Sequence, residues 1–217
     1  PIVDRYFRAE VEGTEHLSRG PCLMVSTHNG GVWMPDSLAL LLAFWRRFGA
    51  DAPGYGLMHA AAFHIPWFGP TLTRLGALAA SRDNARRVLR AGLPLLVYPG
   101  GDLDSLKPFA RRHEIVFGER RGFIRLALAA QVPIVPVVSV GAHETLCVLN
   151  DGQALARWLP IPRTLRIKSV PFALGFPGGL TIAGLGNLPL PAKVRVRILP
   201  PLRLAGPPSA ARDPRAV

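Results

Sequence analysis

Three short apolar runs constrain this chain more than any other feature. Cys22–Ser26, Leu93–Tyr98 and Val132–Val140 carry no charge, and the first two lead into the glycine pairs Gly30-Gly31 and Gly100-Gly101. Runs of that length and polarity read as strands with little exposure to water. Helical patterns lie between them. Pro35 suits a first helical turn, Asp36 is favourable near its positive end, and the helix runs to about Phe48. A further strand is expected over Tyr55–His59, a helix over Pro66–Leu75 and a brief strand over Ala77–Ala80. The helix from Arg82 to Ala91 is stopped by Gly92, and another runs from Arg120 to Ala130 with Phe123, Ile124, Ala127 and Leu128 on one face. Pro133 and Pro136 predict a short, bulged or edge strand at Val132–Val140, and Val194–Leu199 reads as a late strand. This alternation predicts a single α/β domain, a mainly parallel mixed sheet flanked by helices, over residues 1–206, with a disordered tail over 207–217.

The 217 residues are 49% hydrophobic, enough for a real core, which argues against a disordered chain. Lys and Arg number 26 against 14 acids, a net charge of +12, so an anionic partner is expected: nucleic acid, a membrane surface or a phosphorylated substrate. Cys22 and Cys147 lie in apolar stretches and read as free buried thiols; no C-x-x-C occurs and no metal site is expected. No segment reads as a membrane-spanning helix. Leu38–Trp45 is too short, Phe123–Val140 is broken by Arg125, Gln131 and two prolines, and Val170–Pro191 holds too much Pro and Gly. Val170–Pro191, flanked by Arg163, Arg166, Lys168 and Lys193, reads either as an apolar surface for anionic lipid or as an irregular cover over the sheet. The sequence opens on Pro1 rather than Met, and a segment upstream of it is expected.

Four stretches carry candidate chemistry. In Ser26-Thr-His-Asn-Gly-Gly-Val-Trp-Met-Pro-Asp36, a histidine leaves a buried strand and meets an aspartate at a helix start. Eight helical steps would hold His28 and Asp36 about 12 Å apart. A looped path through Gly30 and Gly31 would let Asp36 orient His28 and stabilise its imidazolium. The alternative is a surface histidine and a helix-capping aspartate. Arg82, at a helix N-terminus after small residues, is placed either to bind an anionic head group or to pair with Asp83. Gly100 and Gly101 permit close approach of substrate or of the first loop, and Asp102 and Asp104 are placed to orient a base or hydroxyl, or else are solvated acids of a tight turn. Arg111, Arg112, Arg120, Arg121 and Arg125 form a basic stretch that reads mostly as a solvated face. His59 and His64, five apart, read as residues for packing or local hydrogen bonding, and His113 and His143 as surface or loop residues.

Taken in order, these blocks resemble the glycerolipid acyltransferases, the lysophosphatidic acid acyltransferase-like family. THNGGVWMPD is similar to the family's first block, GALAASR to its second, VYPGGDLD to its third and VPIVPV to its fourth, over Cys22 to Gly141. Seven residues separate His28 from Asp36 where the family usually has four, Thr27 replaces the common Asn, and Pro-Gly-Gly stands where phosphate-specific members carry Pro-Glu-Gly-Thr-Arg. The Pro-Gly-Gly form resembles the branch that includes neutral-glyceride acyltransferases. The resemblance implies acyl transfer from acyl-CoA or acyl carrier protein, as co-substrate with no bound cofactor, to a lysophospholipid or other glycerolipid hydroxyl in phospholipid biosynthesis. His28 is then the general base and Asp36 its partner, Arg82 positions a phosphate, and amides near Gly30-Gly31 or Gly100-Gly101 meet the oxyanion. It also implies a peripheral protein on the cytoplasmic face of a membrane. Trp33, inside the first block, is a candidate for lining an acyl tunnel.

Rival classes lack their signatures. An esterase-type hydrolase needs a nucleophile elbow, and no Ser stands in a G-x-S-x-G frame, although a thioesterase using water on His28 keeps the same residues. Nucleic-acid recognition would bring zinc spacing, RNP aromatics or a helix-turn-helix, none of which is present, so no nucleic-acid partner is expected. A non-catalytic lipid-binding domain of the same fold is the third alternative.

Overall fold

A computed structural model describes residues 1–64, 66–159, 169–182, 186–213 and 217. Its main sheet orders seven strands as β1 (Glu10–Glu12), β10 (Arg195–Ile198), β6 (Ile134–Val140), β2 (Leu23–Ser26), β5 (Leu95–Val97), β3 (Tyr55–Met58) and β4 (Ala77–Ala79). From β6 to β4 every neighbouring pair is parallel; β10 runs antiparallel to β6, and β1 parallel to β10. The mainly parallel α/β fold expected from the alternation is the one observed.

The period-two alternation of strands divides the core. Cys22 and Met24, with Val135 and Val137, pack against Ala39, Leu40 and Phe44 of helix α1 (Pro35–Phe48). Leu23 and Val25, with Leu95 and Val97, pack on the other face against α3 (Arg82–Arg90) and α5 (Gly122–Ala130). Burying both faces is what lets β2 be apolar at consecutive positions. Helix α1 closes with Arg46 and Arg47 in its last turn, where cations complement the helix dipole. Ser81 caps α3, its Oγ accepting from Asn84 N–H at 3.1 Å. Helix α2 (Phe68–Arg74) joins β3 to β4.

Two sequence expectations change. Strand β6 is interior despite its prolines, lying between β2 and β10. Pro136 points its backbone away from β2, its carbonyl accepting from Leu199 N–H beyond the last β10 pair, Val137↔Ile198. Its missing N–H therefore falls where the β10 ladder has ended.

The second change is at Val170–Pro191, which builds regular structure. β8 (Phe172–Gly175) and β9 (Gly179–Ile182) form an antiparallel hairpin beside β7 (Cys147–Val148). Ala173 is buried against Leu146 and Val148, while Phe172, Leu174, Leu180 and Ile182 face outward. Residues 183–185, and Arg163, Arg166 and Lys168 expected to flank the segment, lie outside the described residues. Pro208–Arg212, within the stretch read as a disordered tail, forms a 3-10 turn against α5. Cys22 and Cys147 are free thiols, and burial pushes the Cys22 thiol up to about 11.

The parallel strands β2 to β5 and their partners end on one edge of the sheet. His28 follows β2, Tyr98 follows β5 and Arg82 follows β4 along that edge, the side on which open α/β sheets place their ligands.

Candidate active site

The chain leaves β2 through Thr27, His28 and Asn29, then turns on Gly30 (φ +82°) and Gly31 (φ +59°) into a 3-10 turn that delivers Pro35 and Asp36 to the start of α1. A Cβ on Gly30 would lie 2.7 Å from both Ala142 O and Pro35 Cδ, so the loop closes only with glycine there. This path brings together the two residues that a helix would have held apart. His28 Nδ1 lies 3.9 Å from Asp36 Oδ2, with the imidazole 13% exposed and the carboxylate 2%.

Asp36 is held firmly. Oδ2 accepts from Asn29 N–H at 3.0 Å and from Ser139 Oγ at 3.2 Å, and Oδ1 accepts from Ser37 N–H at 2.8 Å. The Tyr98 ring packs on His28 with centroids 4.4 Å apart, and its hydroxyl hydrogen-bonds Ser37 Oγ at 2.6 Å. Burial, followed by the charge of Asp36, pushes the Tyr98 phenol well above its ordinary value of 10, so it stays protonated against the imidazole.

Asp104, expected to touch substrate or to orient a base or hydroxyl, faces inward. It is fully buried on α4 (Asp102–Ser105). Oδ2 accepts the backbone N–H of His28 at 2.7 Å, and Oδ1 accepts from Lys107 Nζ at 2.9 Å and Val116 N–H at 3.1 Å. It holds His28 through the backbone. Gly100 makes this possible: a Cβ there would run into Asp104 Cβ and lie 2.5 Å from Val116 O. Gly101 (φ +51°) gives its N–H to Tyr98 O. Arg120, from the stretch read as a solvated face, turns inward. Its guanidinium donates to the carbonyls of Pro99 (3.1 Å) and Gly100 (2.9 Å) and pairs with Asp102 (3.3 Å).

Arg82 is exposed at the first turn of α3. Three strand spacings separate β4 from β2, so Arg82 stands about 14 Å along the edge from His28. Trp33 is 44% exposed beside the same loop, and its indole N–H donates to Asn187 O at 2.7 Å, tying the loop to the segment after β9. His59 and His64 are exposed. His143 is buried rather than on the surface, its Nε2 2.6 Å from Lys107 O. Among the described residues no group of three or more His, Cys, Asp or Glu is arranged to hold a metal ion. Asn29, Ser139 and Arg120 were not legible as site residues, because their partners come from other strands and loops; Lys107 stands three residues from Asp104, a spacing that is as common in solvated pairs.

The comparisons give this parallel sheet and its carboxyl-edge loop a family. The family model Acyltransferase matches residues 8–140, and the chain belongs to that family. An uncharacterized protein of Mycobacterium leprae is 33% identical over 199 residues, which is 91% of this chain and 51% of that protein. The human DGAT1/2-independent enzyme synthesizing storage lipids is 36% identical over 115 residues, 53% of this chain and 34% of the enzyme. The crystal structure of PlsC, the 1-acyl-sn-glycerophosphate (LPA) acyltransferase of Thermotoga maritima, shares the fold with a TM-score of 0.52 at 17% identity, covering 93% of this chain and 67% of PlsC. The chain spans about half the length of the mycobacterial relative and a third of the human one.

Proposed function

We propose that this chain transfers a fatty acyl group from a thioester donor, acyl-CoA or acyl carrier protein, to the hydroxyl of a glycerolipid. The observation that carries the reading is His28 at the carboxyl edge of the sheet, partly open to solvent, with the buried Asp36 carboxylate behind it. The free ring nitrogen of His28 takes the proton of the acceptor hydroxyl as that oxygen bonds to the thioester carbonyl carbon. The tetrahedral intermediate collapses, the C–S bond breaks, and the proton passes from His28 to the departing thiolate. Asp36 stabilises the imidazolium between the two transfers. With the Gly101 N–H committed to Tyr98, the amides of Gly30, Gly31 and Gly100 are the remaining candidates among the four glycines for the oxyanion. Arg82 holds a phosphate of donor or acceptor away from the reacting carbon.

The outward face of the small sheet supports peripheral attachment to a membrane, which the family resemblance implies to be at its cytoplasmic face. Phe172 is paired with Ile182 and Leu174 with Leu180 across β8 and β9, and all four are exposed. A half-solvated antiparallel sheet ordinarily turns polar residues outward. No described helix is long and apolar enough to cross a membrane. The acceptor is named by turnover of labelled acyl-CoA against lysophosphatidate, other lysophospholipids and monoacylglycerol. Thioester hydrolysis with every alcohol refused would replace the transferase reading by a hydrolase.

A further inference from the structure

Lys107 is a buried cation that no part of the proposed reaction uses. It is 3% exposed, two residues beyond α4, and its carbonyl is held by His143 Nε2. Its ammonium makes two hydrogen bonds, one to Asp104 Oδ1 at 2.9 Å and one to Asn29 Oδ1 at 2.8 Å. Each partner leads to one member of the His–Asp pair. Asp104 Oδ2 takes the backbone N–H of His28, and the Asn29 N–H goes to Asp36 Oδ2. The Asn29 side-chain amide also donates to Ser139 Oγ at 2.9 Å, and Ser139 donates in turn to Asp36. One side chain therefore fixes the backbone of the base and the carboxylate that answers it.

The charges have a matching pattern. Around His28 stand Asp36 on α1, Asp104 and Lys107 from the α4 region, and the protonated Tyr98 after β5. With neutral imidazole this buried group carries one net negative charge; with imidazolium it is balanced. Resting on the acyl-transfer reading, we infer that Lys107 is a positioning residue for the reaction. It anchors His28 and Asp36 through Asp104 and Asn29, and it cancels the charge of Asp104 so that imidazolium formation is answered by Asp36 alone. Without the lysine the Asp104 carboxylate keeps two backbone N–H donors, from His28 and Val116.

The test compares Lys107→Met with the charge-compensated double variant Asp104→Asn/Lys107→Met. It reads the NMR titration of the His28 imidazole together with kcat and KM over pH. In Lys107→Met an added unpaired carboxylate favours the imidazolium, so the titration midpoint and the acid limb of kcat/KM move upward by about one unit. The kcat at neutral pH falls about tenfold or more, and KM stays within about twofold. The double variant returns the midpoint to the wild-type position. An unmoved midpoint in folded Lys107→Met overturns the inference, as does a displaced midpoint that the double variant fails to restore. A midpoint that moves as expected in a protein that transfers no acyl group would support the charge network and sink the transferase reading instead.

Discussion

His28 Nδ1 sits 3.9 Å from Asp36 Oδ2 and makes no hydrogen bond, although it is buried. The carboxylate is otherwise engaged with Asn29, Ser37 and Ser139. The two residues therefore face each other without a shared hydrogen bond. In the proposed reaction a buried carboxylate at that distance can answer the charge of an imidazolium without moving to meet it.

Asp36→Asn removes that charge and keeps an oxygen for the Asn29 amide. The expected result is a fall in kcat of about a hundredfold with KM little changed. The check is steady-state kinetics beside a thermal melt; equal turnover would mean that the seven-residue loop brings the pair together without catalytic consequence.

Asp104→Ala acts on stability first. It leaves the Lys107 ammonium buried without its carboxylate and the His28 N–H without an acceptor. A loss of about 3–5 kcal/mol is expected from urea unfolding. A change within about 0.5 kcal/mol would show that water replaces the carboxylate at no cost.

Much of this architecture is legible in the sequence, for reasons that the exceptions make plain. β2 and β5 are continuous apolar runs, and α3 carries a capping Ser81 and a stopping Gly92, so local pattern and tertiary role coincide. The β8–β9 hairpin was hidden because glycine and proline recur through its segment, and its outward Phe172, Leu174, Leu180 and Ile182 break the usual alternation. At the site, His28, Asp36 and the glycines stand in one loop and could be read along the chain. Asp104 was visible as an acid but its inward direction was not, since that depends on Lys107 and Val116 closing over it. Lys107 and Arg120 sit in basic stretches where solvated side chains are the ordinary outcome.

Arg82→Ala separates the acceptor classes. The side chain is exposed and far from His28, so stability should change by no more than about 0.5 kcal/mol. If Arg82 holds a phosphate of the acceptor, KM for lysophosphatidate rises about tenfold while that for monoacylglycerol is unchanged. A rise in KM for acyl-CoA instead would assign Arg82 to the donor.

His143 gives stability a dependence on pH. Burial holds its imidazole below the ordinary 6.5, against the hydrogen bond to the Lys107 carbonyl. Below about pH 6.5 the unfolded chain binds a proton that the folded one refuses, so this contribution is complete above that pH and is lost as pH falls through the folded value. Urea midpoints at descending pH should decline in the wild type and decline less steeply in His143→Gln. Parallel curves would remove His143 as the cause.

The most direct measurement is transfer of a labelled acyl group from acyl-CoA to a glycerolipid acceptor by the wild type and by His28→Ala, with circular dichroism to verify folding. His28 is placed to be the proton acceptor, so the variant should keep its fold and lose about a thousandfold or more in kcat. Transfer at the wild-type rate by folded His28→Ala would contradict the account.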